Sequence, residues 1–397
     1  MDFARGTAVA DRSLLRTLIV PEWASGSRRC QAQRTLQVDE QRHHPVGDSL
    51  FAAQSAALTG AGNMANVRVV LTADTHLGFD QPSRPRIERR RRGDDFEANF
   101  CRVLDHVLHT HPDLLVVAGD VFHTPRPPEA LVDRTLGSLA EVAAAGIPVV
   151  VLPGNHDRSQ LPPSLWLGHP SVHVFDKPRT FVLERGDTTV AIGGLPFSRR
   201  IGASAPDLIR ATGIGEVAAD LRLLAMHQSV DGARVGTHDF QFRPGSEVLR
   251  REALPRSLTA VVAGHVHRHQ VLANGCSPPV LYPGSIERTS FAEREEPKGF
   301  LDISFRRADN GTWQMEHEFH ELPTRPMVDV VLPASHSPSR MLEALRLSAA
   351  GLPVNAIVRL QPPGGGGEAV LPPAALLREA ILPSMNVQFS WELRSAN

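Results

Sequence analysis

Aspartate, asparagine and histidine recur in this sequence directly after short apolar runs. Asp74-Thr75-His76 follows Val69–Ala73, Asp120 follows Leu114–Gly119, and Asn155-His156-Asp157 follows Val149–Leu152 and a Pro-Gly pair. His227 follows Leu223–Met226, and His265 and His267 follow Ala260–Gly264. Carboxylate, amide and imidazole donors without any thiolate suit manganese, iron or zinc better than calcium. The set Asp74, His76, Asp120, Asn155, His227, His265 and His267 offers seven ligands, too many for one ion that must also leave room for a substrate. It fits two ions that share a carboxylate, with Asp120 as the expected bridge. Two ions ~3.5–4 Å apart can bind both oxygens of a displacement at phosphorus and activate a water.

The elements that must position these side chains are legible from the same runs. An unbroken apolar run bounded by polar residues predicts a strand buried on both faces. A polar residue at its end then lies at the carboxyl edge of a sheet, where open α/β folds place their sites. An unpaired charge in that setting is very costly, so a metal ion is a natural partner. One Asp-x-His means little in a chain with 18 histidines. Five such signals after five strand runs, in order, point to a site assembled from strand termini.

Between the runs the pattern alternates. Residues 95–109 and 128–145 have helical spacing, residues 171–200 predict antiparallel strands turning at Arg185-Gly186-Asp187, and residues 205–221 predict a helix. Residues 231–258 read as a long loop region with one short helix, and strand signals run from Val280 to Leu322. His106, His109 and His111 read as surface residues of the first helix and its end. Arg89 to Arg92 is either a solvated charge run or a contact to a phosphate backbone. From residue 323 the texture changes to a small α+β module running to 397, and Gly364 to Gly367 reads as a flexible loop within it. Residues 1–63 lack a sustained period and predict a disordered extension, with Met64 as a candidate true start. The expected division is therefore 1–63, 64–322 and 323–397.

Composition excludes several classes. No run approaches the ~18 apolar residues of a membrane span. Three widely spaced cysteines, Cys30, Cys101 and Cys276, argue against a disulfide framework and for a reducing cytoplasm. The net charge of −1 means that any nucleic acid must be met by local basic patches, such as Arg199-Arg200, Arg250-Arg251 and Arg288.

Asp74-Thr75-His76, Gly119-Asp120, Gly154-Asn155-His156-Asp157, His227 and Gly264-His265-Val266-His267 resemble the motifs of the calcineurin-like metallophosphoesterases. Gly119-Asp120-Val121-Phe122-His123, and Tyr282 to Phe291 followed by Lys298-Gly299-Phe300, resemble the SbcD-like nucleases of double-strand-break repair. The resemblance covers residues 66–305 well and the last module loosely. It implies an α/β metallophosphoesterase sandwich, two central β-sheets flanked by helices, with a small C-terminal α+β capping module. It implies one ion on Asp74, His76, Asp120 and His267 and another on Asp120, Asn155, His227 and His265, with manganese the expected metal. His156 would then stabilise or protonate the leaving oxygen, His123 would contact phosphate or orient the substrate, and Asp157 would brace the loop. DNA, an SbcC-like coiled-coil ATPase and a second copy of the chain are the implied partners, although no amphipathic helix pair follows the small module. Three readings follow: a DNA nuclease, a small-molecule phosphodiesterase or phosphatase, and a non-catalytic DNA-binding scaffold.

Overall fold

The computed structural model describes residues 66–80, 90–157, 161–162, 169–273, 278–333, 335, 337–363 and 371–390. The readings of residues 1–63, of Met64 as a start and of the Gly364–Gly367 loop fall outside these.

The apolar runs are strands. β1 (Asn66–Thr72), β2 (Leu114–Ala118) and β3 (Val149–Leu152) pair in parallel, with Val69 opposite Leu114 and Leu115 opposite Val149. Every residue of β2 and β3 is buried, as expected of strands covered on both faces. β4 (Val172–Val174) adds in parallel beside β3, while β15 (Lys298–Arg307) and β16 (Trp313–Leu322) add antiparallel beyond β1. The order of this sheet is β16-β15-β1-β2-β3-β4. A second six-stranded sheet joins β5 (Arg179–Arg185), β6 (Thr188–Leu195), β7 (Leu221–His227), β12 (Ala260–Gly264), β13 (Gln270–Leu272) and β14 (Val280–Tyr282) in the order β13-β14-β12-β7-β6-β5. Between β7 and β12 lie four two-residue strands, β8 (Ser229–Val230), β9 (Arg234–Val235), β10 (Phe240–Gln241) and β11 (Val248–Leu249).

Alternation along the strands divides the core into layers. Val69, Leu71, Val116 and Val150 of the first sheet pack with Ile192, Leu223, Ala225 and Val262 of the second, forming the interior between the sheets. Val70, Leu115, Val117 and Val151 face outward onto helices α1 (Gly93–Thr110) and α2 (Glu129–Ala144). Ala191, Leu224, Met226 and Val261 face α3 (Ile201–Ala211). This helix–sheet–sheet–helix order is the α/β sandwich, and it brings the carboxyl ends of β1, β2, β3, β7 and β12 to one edge. Beyond β16, β17 (Met327–Val331), β18 (Ile357–Gln361) and β19 (Asn386–Phe389) form a parallel sheet. That sheet packs with α4 (Pro338–Ala350) and α5 (Ala374–Glu379) around a core of its own.

Three expectations change. The helix predicted over 205–221 is α3, and it ends at Ala211, before Gly213 at φ +71°; the apolar residues from Leu221 onward belong to β7. Where it is described, the arginine run is solvated only at Arg90 and in part at Arg91, and each guanidinium has a protein partner. Arg90 pairs with Asp95 at 2.6 Å, Arg91 pairs with Asp80, and Arg92 is fully buried between the Phe79 and Phe96 rings with its guanidinium on the Arg288 carbonyl. Arg288 likewise spends its guanidinium on the carbonyls of Glu296 and Arg325. His106 is half-buried and bonded to Asp302 rather than a solvent-facing residue.

Candidate metal centre

The loops after the strands are bent sharply to aim their side chains inward. Among the described residues six non-glycine positions have positive φ, and four of them are Asp74 (+51°), His76 (+42°), Asp120 (+48°) and His265 (+88°). Left-handed backbone outside glycine is costly, and it persists where the surroundings over-determine it, commonly at functional sites. The glycines allow the close approach: a Cβ on Gly119 would overlap the His227 ring, and one on Gly154 would overlap the Asp120 carboxylate.

All nine residues singled out in the sequence meet here. Nε2 of His76 faces Nε2 of His267 at 3.1 Å. Asp74 Oδ1 lies 3.6 Å from His267 Nε2 and 3.9 Å from His227 Nε2. Asp120 Oδ2 lies 3.4 Å from His227 Nε2 and 3.9 Å from His76 Nε2. Asn155 Oδ1 is 2.8 Å from His265 Nδ1 and 3.2 Å from His227 Nε2. Both carboxylates therefore face imidazoles on either side. His123 and His156 border the His76 side, with ring centroids 5.4 and 4.8 Å from that of His76.

The arrangement fits cations. Two neutral imidazole nitrogens 3.1 Å apart repel unless a proton or an ion lies between them. Asp74 and Asp120 are almost fully buried, so their charge needs compensation. The neighbouring groups supply part of that compensation. Burial pushes the Asp74 carboxyl up from its ordinary value. Burial acts the same way on Asp120, but the His227 charge and hydrogen bond outweigh it and hold that carboxyl low. Burial disfavours a charged His227, yet Asp120 and Asp74 raise it to about 9. Burial, then the neighbouring His227 charge, depresses His265 to about 3, and burial with His267 holds His76 well below the usual imidazole range. His265 and His76 are thus held neutral, and a cation bound beside His227 would have to displace its proton.

Outer contacts fix the ligands. His227 Nδ1 donates to the Ala118 carbonyl at 2.8 Å, turning Nε2 inward. The backbone N–H of His265 donates to Asp74, and that of His156 to Asp120 Oδ1 at 2.8 Å. Asp157 accepts from the N–H groups of Val121, Phe122 and Gly154, each at 3.0 Å, so it ties the second and third loops together. Burial and then Asp120 push its carboxyl up to about 7. His156 Nδ1 donates to the His123 carbonyl at 2.9 Å, which fixes the ring and turns Nε2 away from that carbonyl. The His123 ring stacks on it at 5.1 Å.

The sequence reading missed Glu293. Its Oε1 is 3.3 Å from His267 Nδ1 and accepts from the Thr289 hydroxyl at 2.6 Å, while its Oε2 pairs with the buried Lys298 Nζ at 2.7 Å. Burial alone would raise this carboxyl, but His267 and Lys298 hold it far below the usual range. The available signal was Ser290-Phe291-Ala292-Glu293, a Ser-x-x-Glu capping pattern; Ser290 Oγ donates to Glu293 at 3.1 Å. Beside Asn155 and His265 opens a cleft of about 620 Å³, also lined by Phe197, Arg199, Ser229, Phe242, Glu247 and Val248.

The family model for calcineurin-like phosphoesterases matches residues 67–269, just over half of the 397 residues. The DNA double-strand break repair protein Mre11 of Methanococcus maripaludis is 25% identical over 251 residues, covering 59% of this chain and 62% of that protein. Mre11 of Methanosarcina acetivorans is 29% identical over 244 residues, covering 60% of this chain and 36% of that protein. The D component of the nuclease SbcCD from Bacillus subtilis is 25% identical over 284 residues, covering 62% of this chain and 68% of that protein. The chain thus spans less than two thirds of the length of either archaeal relative.

Proposed function

This chain belongs to the calcineurin-like phosphoesterase family, and from that premise we propose that it is a two-metal DNA nuclease of double-strand-break repair. It would cut phosphodiesters exonucleolytically and also endonucleolytically, with manganese as the working metal. The observation that carries this reading is the convergence of Asp74, His76, Asp120, Asn155, His227, His265 and His267 from five strand ends on one edge. The Mre11 relatives and the D component of SbcCD supply the substrate class.

His76, His267 and Asp74 would hold one ion and Asn155, His227 and His265 the other, with Asp120 between them. Ions held there supply an activated water and neutralise charge on the phosphate. His156, anchored through Nδ1 on the His123 carbonyl, presents Nε2 to the departing sugar oxygen and protonates it. His123 keeps the His156 ring in place by stacking. In the adjoining cleft, Arg199 meets a backbone phosphate, and Phe197 and Phe242 offer faces to a base. Arg199, Arg200 and Arg250 are exposed and supply local positive charge in a chain of net charge −1.

We assign residues 64–322 to the catalytic unit and 323–397 to a capping module, and we place the protein in the cytoplasm. No helix among the described residues is long and apolar enough to cross a membrane. The SbcC-like ATPase and a homodimer are carried over as proposed partners.

The test is purified protein with manganese on linear duplex DNA, beside bis-p-nitrophenyl phosphate. Cleavage of DNA that chelation abolishes is the expected result. Turnover of the small diester alone would replace the nuclease with a small-molecule phosphodiesterase.

A further inference from the structure

A second histidine–carboxylate cluster lies outside the strand-end site, on the helix-facing side of the β15–β16 edge. α1 supplies His106, β15 supplies Asp302 and β16 supplies His320. In the antiparallel register Phe300 is opposite His320 and Asp302 is opposite Glu318, so all four side chains share the face on which α1 packs. One nitrogen from each histidine and one Asp302 oxygen lie within 4.8 Å of one another.

The rings are held rather than free. His320 stacks on Phe300 with centroids 5.0 Å apart at 12°, and His106 meets the same ring edge-on at 4.9 Å. The two imidazole centroids are 4.5 Å apart. His106 Nε2 is 3.3 Å from Asp302 Oδ2, about the separation of two ligands on a tetrahedral zinc with bonds of ~2.0–2.1 Å. His320 Nε2 is shielded from solvent and has no hydrogen-bond partner. Its nearest charged neighbour is the carboxylate of the largely exposed Glu318, at 3.8 Å. Such an orphaned buried nitrogen calls for a water or an ion.

We propose that His106, Asp302 and His320 form a second metal site, for zinc or a similar borderline transition ion, that fastens α1 to the β15–β16 hairpin. The fourth position falls to water or to Glu318. Two imidazoles and a carboxylate oxygen match the donor preference of zinc. Arg68 opposes binding: its guanidinium sits on Asp302 Oδ2 at 2.7 Å and on the Thr110 carbonyl at 3.1 Å. It competes for the carboxylate and repels a cation, which makes the site weaker than the strand-end centre and gives it a diagnostic variant.

The experiment is equilibrium dialysis of the chelator-treated full chain against zinc, with elemental analysis. His106→Ala and His320→Ala should each bind one fewer equivalent than wild type, while His109→Ala, altering an exposed neighbour on the same helix, should match wild type. Arg68→Gln should tighten the extra equivalent by about tenfold, the gain expected from removing a close like charge worth ~1.4 kcal/mol. Circular dichroism of the zinc-free chains checks folding, and His106→Gln carries the test should His320→Ala unfold. Unchanged stoichiometry in the folded variants, or weaker zinc binding by Arg68→Gln, would overturn the proposal. Failure of the strand-end centre would lower the total for every chain and leave the difference intact.

Discussion

The strand-end centre and the His106–Asp302–His320 cluster use the same side-chain chemistry but are built in opposite ways. At the centre, Asp74, His76, Asp120 and His265 sit in left-handed backbone, and backbone N–H groups hold both carboxylates. In the second cluster the residues sit on a regular helix and two regular strands, and the carboxylate is held by an arginine side chain. The first arrangement spends conformational strain to aim buried ligands at one point. The second follows from register and helix packing and remains partly exposed. A catalytic site needs the former, because reacting groups must be fixed closely; a structural fastening can use the latter.

The sharpest way to break this contrast is to remove one ligand from each side. His227 is fully buried and lies near both Asp120 and Asp74. His227→Ala should abolish metal at the centre and lower phosphodiester cleavage by on the order of 10³-fold or more, as expected when several kcal/mol of metal assistance is lost. His320→Ala should leave that cleavage unchanged. Equal losses in both variants, measured with bis-p-nitrophenyl phosphate and metal analysis, would show that the two clusters act as one.

Next in size is His156→Ala. The ring contributes a proton rather than a ligand in the proposed scheme, so bound metal should stay at the wild-type level while kcat falls by about 10²–10⁴-fold. Wild-type turnover on DNA would remove the proton-donor role. Loss of metal would instead place His156 in the ligand set, since its backbone already holds Asp120.

The same contrast explains what could be read from the sequence. Buried parallel strands announce themselves as apolar runs, and a ligand at a strand terminus is adjacent in sequence to the run that places it. Asp120 after Leu114–Gly119 and His265 after Ala260–Gly264 are legible for that reason. The sandwich layers follow from the same runs. Contacts that depend on register between distant elements leave no local trace. Glu293 reaches His267 from 26 positions away, and His106 meets Asp302 across 196 positions. The arginines at 90–92 read as either a solvated run or a phosphate contact, because charge runs usually face solvent. Arg92 was instead absorbed between two phenylalanine rings and a carbonyl, which no composition rule conveys. The boundary error at α3 has a similar origin: Ile214, Val217 and Ala219 continue a helical-looking apolar pattern past Gly213, although they lie in the turn segment before β7.

Glu293 sharpens the comparison at intermediate size. Its carboxylate orients His267 and is itself paired with Lys298, much as an outer carboxylate does in histidine-bound metal sites. Glu293→Gln keeps the shape and removes the charge, and it should weaken metal binding at the centre by about 10–100-fold. Isothermal titration with manganese would read this. Unchanged affinity would mean that the Ala118 carbonyl on His227 and the loops alone position the ligands.

The smallest expected effect belongs to the second cluster and concerns pH. Burial alone would raise the Asp302 carboxyl, but the hydrogen bonds and charges of His106 and Arg68 outweigh it and hold the group below its ordinary value. A depressed folded-state value means stability that is fully present above the unfolded carboxylate pKa of ~3.9 and is lost as pH falls through the folded value. The Arg68 side chain is about one third exposed, so solvent screening limits the contribution to under ~1 kcal/mol. In zinc-free protein, Arg68→Gln should lower the denaturation midpoint slightly at pH 6, and the gap from wild type should close as the pH is brought below ~3.9. A gap that stays constant with pH would assign the effect of Arg68 to its bond with the Thr110 carbonyl, and the carboxylate would then be freer for a cation than its pairing with Arg68 implies.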